Sequence, residues 1–356
     1  MNIGNIDKNM RIEAFSSDGM KWFDVKKLPE LIYGLAWFQQ ETLYRRLPRK
    51  PAYPIPENVD YLADNTAGGQ IRLTTDARRL AIKVRLQHSA DLYHMPSTGQ
   101  CGFDCYVETA EGLKYYSTTR HDPKQTEYEY EFYATDTAEQ RNVVLHFPLY
   151  QGVIDAFIGV NEDASVLEPY TFANSGKVVC YGTSITQGGC ASRPGMCYTN
   201  ILSRRLNKEF VNLGFSGNGK GEPELARLIN EIKDVDVVVL DYEANAGDGL
   251  LHTLEPFIGI LRAEQPRLPI LVVSKIRYAN ENFSEQRKNE RLKLLCYQRE
   301  LVRRLRDEGD DHIHFFDSSQ LLGDDFEECT VDGAHPTDLG FIRMADKLGP
   351  AIADIC

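Results

Sequence analysis

Two rhythms of hydrophobic and polar positions divide this chain. Up to about residue 170 the period is two: Leu80, Ile82, Val84 and Leu86 alternate with Ala81, Lys83, Arg85 and Gln87, and Tyr128, Tyr130 and Phe132 alternate with Glu127, Glu129 and Glu131. Alternation of this kind predicts antiparallel strands with one buried and one wet face. The clusters Thr74-Thr75-Asp76, Pro96-Ser97-Thr98-Gly99 and His121-Asp122-Pro123 read as turns between them. Residues 1–172 are therefore expected to form an antiparallel β-sandwich of jelly-roll type.

After Gly176 the rhythm changes. Apolar runs at 177–181, 210–215, 235–242 and 269–273 alternate with helix-like stretches at 196–210, 249–264, 285–308 and 338–355. Strands buried on both faces read as continuous apolar segments, so residues 173–356 predict an α/β domain with a parallel sheet between helices. The boundary is expected between Thr171 and Gly176, with no repeat or long flexible linker.

Four short segments of this second half carry candidate chemistry: Gly182-Thr183-Ser184-Ile185-Thr186, Asn212 to Asn218, Asp241 to Asn245, and Asp332-Gly333-Ala334-His335. The first three follow predicted strands, whose carboxyl ends line the binding crevice of an open parallel sheet. Ser184 supplies a hydroxyl that needs a base to become a nucleophile. His335 supplies that base, and Asp332, three residues earlier on the same loop, is placed to orient it. Ser184, Gly217 and Asn245 are the expected oxyanion hole. Each segment alone reads as a polar turn, a turn glycine or a loop cap; their succession gives them meaning. A nucleophile elbow of the α/β-hydrolase kind is disfavoured, because position 186 is threonine where Gly-x-Ser-x-Gly needs glycine, and the acid shares a loop with the histidine.

The succession Ser, Gly, Asn, His resembles the four blocks of the SGNH (GDSL-like) hydrolase family over about residues 176–356. The resemblance implies a flavodoxin-like three-layer fold and a serine esterase site, with Ser184 the nucleophile, Gly217 and Asn245 oxyanion donors, His335 the base and Asp332 its partner. The first block departs from Gly-Asp-Ser-Leu by reading Gly182-Thr183-Ser184-Ile185, and the third lacks the usual Gly-x-Asn-Asp. In the first half, Gly102-Phe103-Asp104-Cys105-Tyr106 is similar to the Gly-x-Asp-Leu-Tyr motif of an N-terminal β-domain that precedes some SGNH esterases. Arg46-Leu47-Pro48 and Leu149-Tyr150-Gln151-Gly152-Val153 share that likeness. The motif's Asp and Tyr are expected to form a buried hydrogen-bonded pair within the sandwich core.

Composition narrows the partners. Forty basic and fifty-two acidic residues give a net charge of −12, which argues against nucleic acid or an anionic membrane surface. The start of the chain lacks the basic-then-apolar order of a signal peptide, and eight irregularly spaced cysteines suit a reducing compartment, so a cytoplasmic location is expected. His88, His94, Cys101 and Cys105 match no usual zinc spacing, and residues 217–221 lack the P-loop frame, so neither a metal nor a cofactor is expected. Lys275 and Arg277, after a strand, and His252, on a helix, read as ordinary solvated residues.

The expected activity is hydrolysis of a small O-acyl ester, with acetyl the leading acyl group. Its carriage on a carbohydrate or related hydroxylated compound is what two-domain relatives imply. An acyltransferase using the same serine, or a carbohydrate-binding protein with an inactive hydrolase body, are the alternatives.

Overall fold

The structure, a computed structural model, describes residues 6, 7, 10–12 and 15–356. Most of the segment read against a signal peptide lies outside the described residues.

The period-two half folds into nine strands: β1 (Met20–Asp24), β2 (Ile32–Tyr33), β3 (Gln70–Thr75), β4 (Arg79–Leu86), β5 (Asp104–Thr109), β6 (Gly112–Thr118), β7 (Glu127–Ala134), β8 (Arg141–His146) and β9 (Val153–Asn161). They form two antiparallel sheets, ordered β1-β9-β4-β7 and β2-β3-β8-β5-β6. Leu80, Ile82, Val84 and Leu86 point from the first sheet into a core shared with Ile71, Leu73, Val143 and Leu145 of the second. This is the expected sandwich. Two turn assignments shift: Thr74 and Thr75 belong to β3, and Ser97–Gln100 forms a single helical turn.

The second half supplies β10 (Lys177–Gly182), β11 (Glu209–Gly214), β12 (Val235–Asp241), β13 (Ile270–Val273) and β14 (Ile313–Phe316), all parallel. Their order is β11-β10-β12-β13-β14, the flavodoxin-like arrangement in which the strand order reverses beside the first strand of the sheet. Side chains alternate between two cores. Val179 and Tyr181 of β10 join Leu225, Leu254, Phe257 and Leu301 on one face, whereas Val178 and Cys180 join Tyr198, Leu202, Phe341 and Leu348 on the other. Helices Pro223–Glu231, Leu250–Glu264 and Glu285–Asp307 thus cover one face, and Tyr198–Leu206 and Asp338–Ala353 the other. The halves interpenetrate. Trp37, Leu47, Val59 and Ala63 enter the first of these cores, and Ala67, Met95 and Leu149 the second.

Among the described residues no helix is long and apolar enough to cross a membrane. All eight cysteines are free, and six of them are buried.

Candidate active site

β10 leaves the sheet at Gly182, where only glycine fits: a Cβ there would lie 2.1 Å from Thr186 Oγ1 and 2.5 Å from the Asp241 carbonyl oxygen. Thr183 then caps one helical turn, Ser184–Gln187, its hydroxyl accepting from the Ile185 N–H at 3.3 Å. Ser184, at the first helical position, is 8% exposed.

Although 151 residues away in sequence, His335 Nε2 lies 2.8 Å from Ser184 Oγ. On the other side of the ring, His335 Nδ1 lies 2.7 Å from Asp332 Oδ2. Asp332 Oδ1 accepts from the N–H groups of Ala334 at 3.0 Å and His335 at 2.8 Å, so one carboxylate holds both the loop and the ring. Partial burial pushes the Asp332 carboxyl up, but the backbone and ring N–H groups of His335 and the Ala334 N–H outweigh it and hold the group below the usual carboxylate range. An ionised Asp332 fixes the tautomer with hydrogen on Nδ1, leaving the Nε2 lone pair to receive the Ser184 proton.

The two donor loops converge on this turn. Gly182 pairs in register with Gly214 of β11 and with Asp241 of β12, so Ser184, Gly217 and Asn245 follow three adjacent strand ends. Phe215 N–H donates to the Gly182 carbonyl at 3.0 Å, and Ser216 N–H to Gln187 Oε1 at 3.1 Å. Gly217 then turns with φ of +65°, a conformation that favours glycine. Its N–H has no protein acceptor among the described residues. Asn245 gives one of its two amide hydrogens to the Asn218 carbonyl. Beneath the turn, Asp241 Oδ2 accepts from Thr186 Oγ1 at 3.2 Å and from Tyr198 OH at 3.3 Å. Burial pushes this carboxyl up to about 7, against the two hydroxyls that lower it.

The sandwich half does more than flank the site. Tyr150 OH donates to the Ser184 carbonyl at 3.1 Å, and the Leu149 carbonyl accepts from Gln187 Nε2 at 3.1 Å. Arg46, fully buried, donates to the carbonyls of Leu62 and Asn65 at 2.7 Å each and reaches across to the Gly214 carbonyl, with its guanidinium 4.7 Å from the Phe215 ring centre. Asp104 does not form the expected pair with Tyr106 inside the sandwich. Its carboxylate instead meets His146 Nδ1, Arg193 and the Gly195 N–H, each at 2.8 Å, and Tyr106 OH meets the same arginine. The motif thus ties the two halves of the chain together, since Arg193 and Gly195 lie beyond the sandwich.

His94 was read only as a member of a rejected zinc set. The structure separates that set: Cys101 and Cys105 are in the sandwich core, His88 is exposed, and His94 packs edge-on against His335 with ring centres 5.6 Å apart. Tyr93 stacks on His94 at 4.6 Å and is 93% exposed. Only the polar, turn-rich composition of 88–99 hinted at such a loop. Of the discounted residues, Arg277 donates to the Gly323 carbonyl and lies over Phe326, His252 is exposed, and the Lys275 ammonium sits 4.5 Å above the Tyr278 ring.

With this geometry in view, the comparisons with known proteins agree on the fold. The model of the GDSL-like lipase/acylhydrolase family matches residues 175–353, and that of the N-terminus of SGNH-hydrolase-type esterases, named GxDLY, matches residues 20–166. None of the curated proteins matches the sequence. Among solved structures, a protein of Bacteroides ovatus ATCC 8483 assigned to the GDSL-like lipases shares 30% identity at a TM-score of 0.87, over 94% of this chain and 98% of its own. The salicylyl-acyltransferase SsfX3 from a tetracycline biosynthetic pathway aligns at 19% identity and TM-score 0.75, over 95% of this chain and 98% of its own. A family two carbohydrate esterase from Clostridium thermocellum, in complex with cellohexaose, aligns at 14% identity and TM-score 0.56, over 81% and 92%.

Proposed function

From the premise that this chain belongs to the GDSL-like lipase/acylhydrolase family and is an ester hydrolase of that kind, we propose that it removes small O-acyl groups, acetyl foremost, from a carbohydrate or similar hydroxylated compound. The observation that carries the assignment of residues is the unbroken line from Ser184 Oγ through His335 to Asp332, with both links at 2.8 Å or less. Ser184 Oγ attacks the acyl carbon while His335 Nε2 takes its proton. Charge builds on the carbonyl oxygen, where the N–H groups of Ser184 and Gly217 and the second amide hydrogen of Asn245 stabilise it. The alcohol leaves with the proton from His335. Water, deprotonated by the same ring, then releases the acid and restores Ser184.

Two features support the substrate class. Tyr93 offers an exposed aromatic face beside His94 and His335, suited to the apolar face of a sugar ring. The fold is also shared with family two carbohydrate esterases. The acyltransferase alternative keeps the same first half-reaction and has a structural neighbour in SsfX3. Hydrolysis is favoured because the side chains of His335 and Asp332 are 25% and 27% exposed, which leaves water a path to the acyl-enzyme.

The test is turnover of a small chromogenic acetate and of acetylated oligosaccharides by the wild type and three variants. Ser184→Ala and His335→Ala are expected to lose several powers of ten in kcat. Asn245→Ala is expected to lose about a hundredfold to a thousandfold. Wild-type turnover by Ser184→Ala refutes the mechanism. Acyl transfer to an added sugar acceptor that outruns acid release refutes the choice of hydrolysis.

A further inference from the structure

His94, Cys190 and His335 come together from three parts of the chain, and the atoms through which they bind metals all lie within 4.8 Å of one another. We propose that they form a capture site for a zinc-like divalent ion, and that its occupation shuts the esterase off. The ion is an inhibitor and takes no part in hydrolysis.

Three observations converge on the site. His94 Nδ1 is shielded from water and has no hydrogen-bond partner among the described residues. A ring nitrogen in that condition is free to take a ligand, since buried polar atoms are normally paired. Cys190 holds φ of +74°, which few non-glycine residues adopt, and this backbone carries its side chain to the two imidazoles. Close packing confines this stretch: a Cβ on the preceding Gly189 would lie 2.8 Å from Tyr150 OH and 3.3 Å from His335 Cδ2. Finally, Asp332 holds His335 Nδ1, which leaves Nε2 as the coordinating atom and reproduces the carboxylate–histidine–metal relay common around zinc.

Two imidazoles and one thiolate suit zinc, copper(I) or cobalt(II) and suit magnesium or calcium poorly. Zinc bonds of about 2.0–2.1 Å to nitrogen and about 2.3 Å to sulfur set tetrahedral ligand separations of roughly 3.3–3.6 Å, so the three groups need to close by up to about 1 Å. On coordination the thiol proton passes to solvent and a metal-bound water completes the shell. No electron is transferred. The consequence for catalysis follows from one atom: Nε2 cannot both bind the ion and take the Ser184 proton. The inhibition rests on the proposed catalytic role of His335, whereas metal capture does not.

The experiment therefore reads binding and activity separately. Cobalt(II) is titrated into wild type, Ser184→Ala, His94→Gln and Cys190→Ser, following the thiolate-to-cobalt charge-transfer band, and zinc then displaces it. Wild type and Ser184→Ala are expected to bind one ion with that band. Cys190→Ser is expected to lose the band, and His94→Gln to bind more weakly by at least the roughly 10–100-fold typical of losing a supporting group at a metal site. Thermal melting in the presence of chelator shows that each variant is folded. Zinc is expected to inhibit wild-type ester hydrolysis, with chelator restoring it. No saturable one-to-one binding, or binding unchanged in either His94→Gln or Cys190→Ser, overturns the site. A bound ion without inhibition overturns the regulatory half alone, and absent esterase activity with intact cobalt binding refutes the function reading but not the site.

Discussion

The Asp104–Arg193 contact makes the clearest quantitative demand on the structure. Asp104 is fully buried in the sandwich, and its carboxylate accepts from Arg193, Gly195 N–H and His146 Nδ1. Burial pushes Asp104 up, but His146, Arg193 and Arg204 outweigh it and leave the group below the usual range. His146 is driven the other way by burial, down to about 4, so it is neutral near pH 7. A neutral ring with hydrogen on Nδ1 donates to Asp104 and accepts at Nε2 from Arg204 at 3.3 Å, which satisfies both nitrogens. The cation bonded to Asp104 is thus Arg193, with Arg204 farther off, both from the second half of the chain. Asp104→Ala leaves the Arg193 guanidinium only Tyr106 OH and Met196 Sδ as partners and strands two further donors, Gly195 N–H and His146 Nδ1. Breaking a buried pair costs about 3–5 kcal/mol, and because the Arg193 side chain is 18% exposed the lower end applies. With an unfolding entropy of about 2.1 cal/mol/K per residue over 356 residues, a loss of about 3 kcal/mol lowers Tm by about 4 °C. The assay is calorimetry on wild type, Asp104→Ala, Arg193→Met and the double variant. The double variant is expected to fall only slightly below the worse single one, with coupling of about 1–3 kcal/mol. Strict additivity refutes this tie between the two halves.

Three further outcomes follow from the structure. Asp332→Asn keeps the shape of the loop but favours the wrong tautomer of His335, so kcat is expected to fall by about four powers of ten while KM changes little; unchanged kcat in steady-state assays refutes the orienting role. Asp241 has a folded pKa near 7, raised from 3.8, so ionising it costs stability as pH climbs from about 4 through 7. Asp241→Asn removes that cost, and its gain in Tm over wild type is expected to be small at pH 4 and to grow toward pH 8; a gain independent of pH contradicts the assignment. His121 stacks on Tyr128 with neither ring nitrogen partnered among the described residues, and burial lowers its pKa from 6.5 to about 4. Its contribution is therefore intact above about pH 6.5 and lost toward pH 4, so His121→Phe is expected to gain stability over wild type as pH falls through that window, measured by melting at stepped pH.

The parallel sheet was legible because strands buried on both faces cannot hide: Val178–Tyr181 and Val237–Leu240 read as apolar runs. β14 escaped notice because it is a four-residue edge strand interrupted by His314, and helix Pro223–Glu231 because it is only nine residues long. The meeting of Ser184, His335 and Asp332 was readable because a hydroxyl, an imidazole and a carboxylate are visible in residue identity and two of them share a loop. The work of Arg46, Tyr150 and Asp104 was not. Their partners are the carbonyls of Gly214 and Ser184, the N–H of Gly195 and a distant arginine, and backbone atoms leave no trace in residue identity. His94 was missed for a related reason: its meeting with His335 depends on how two domains dock, which no local pattern encodes.

That docking bears on how the enzyme can be engineered. Arg46 holds the Gly214 carbonyl at the end of β11 beside Phe215, and Tyr150 holds the carbonyl of Ser184. The second half of the chain is consequently not expected to be portable, since cutting it free would remove the contacts to the Gly214 and Ser184 carbonyls along with the sandwich. Grafting a foreign front half to alter substrate choice can succeed only where the graft brings its own arginine, aspartate and tyrosine to the same three anchor points.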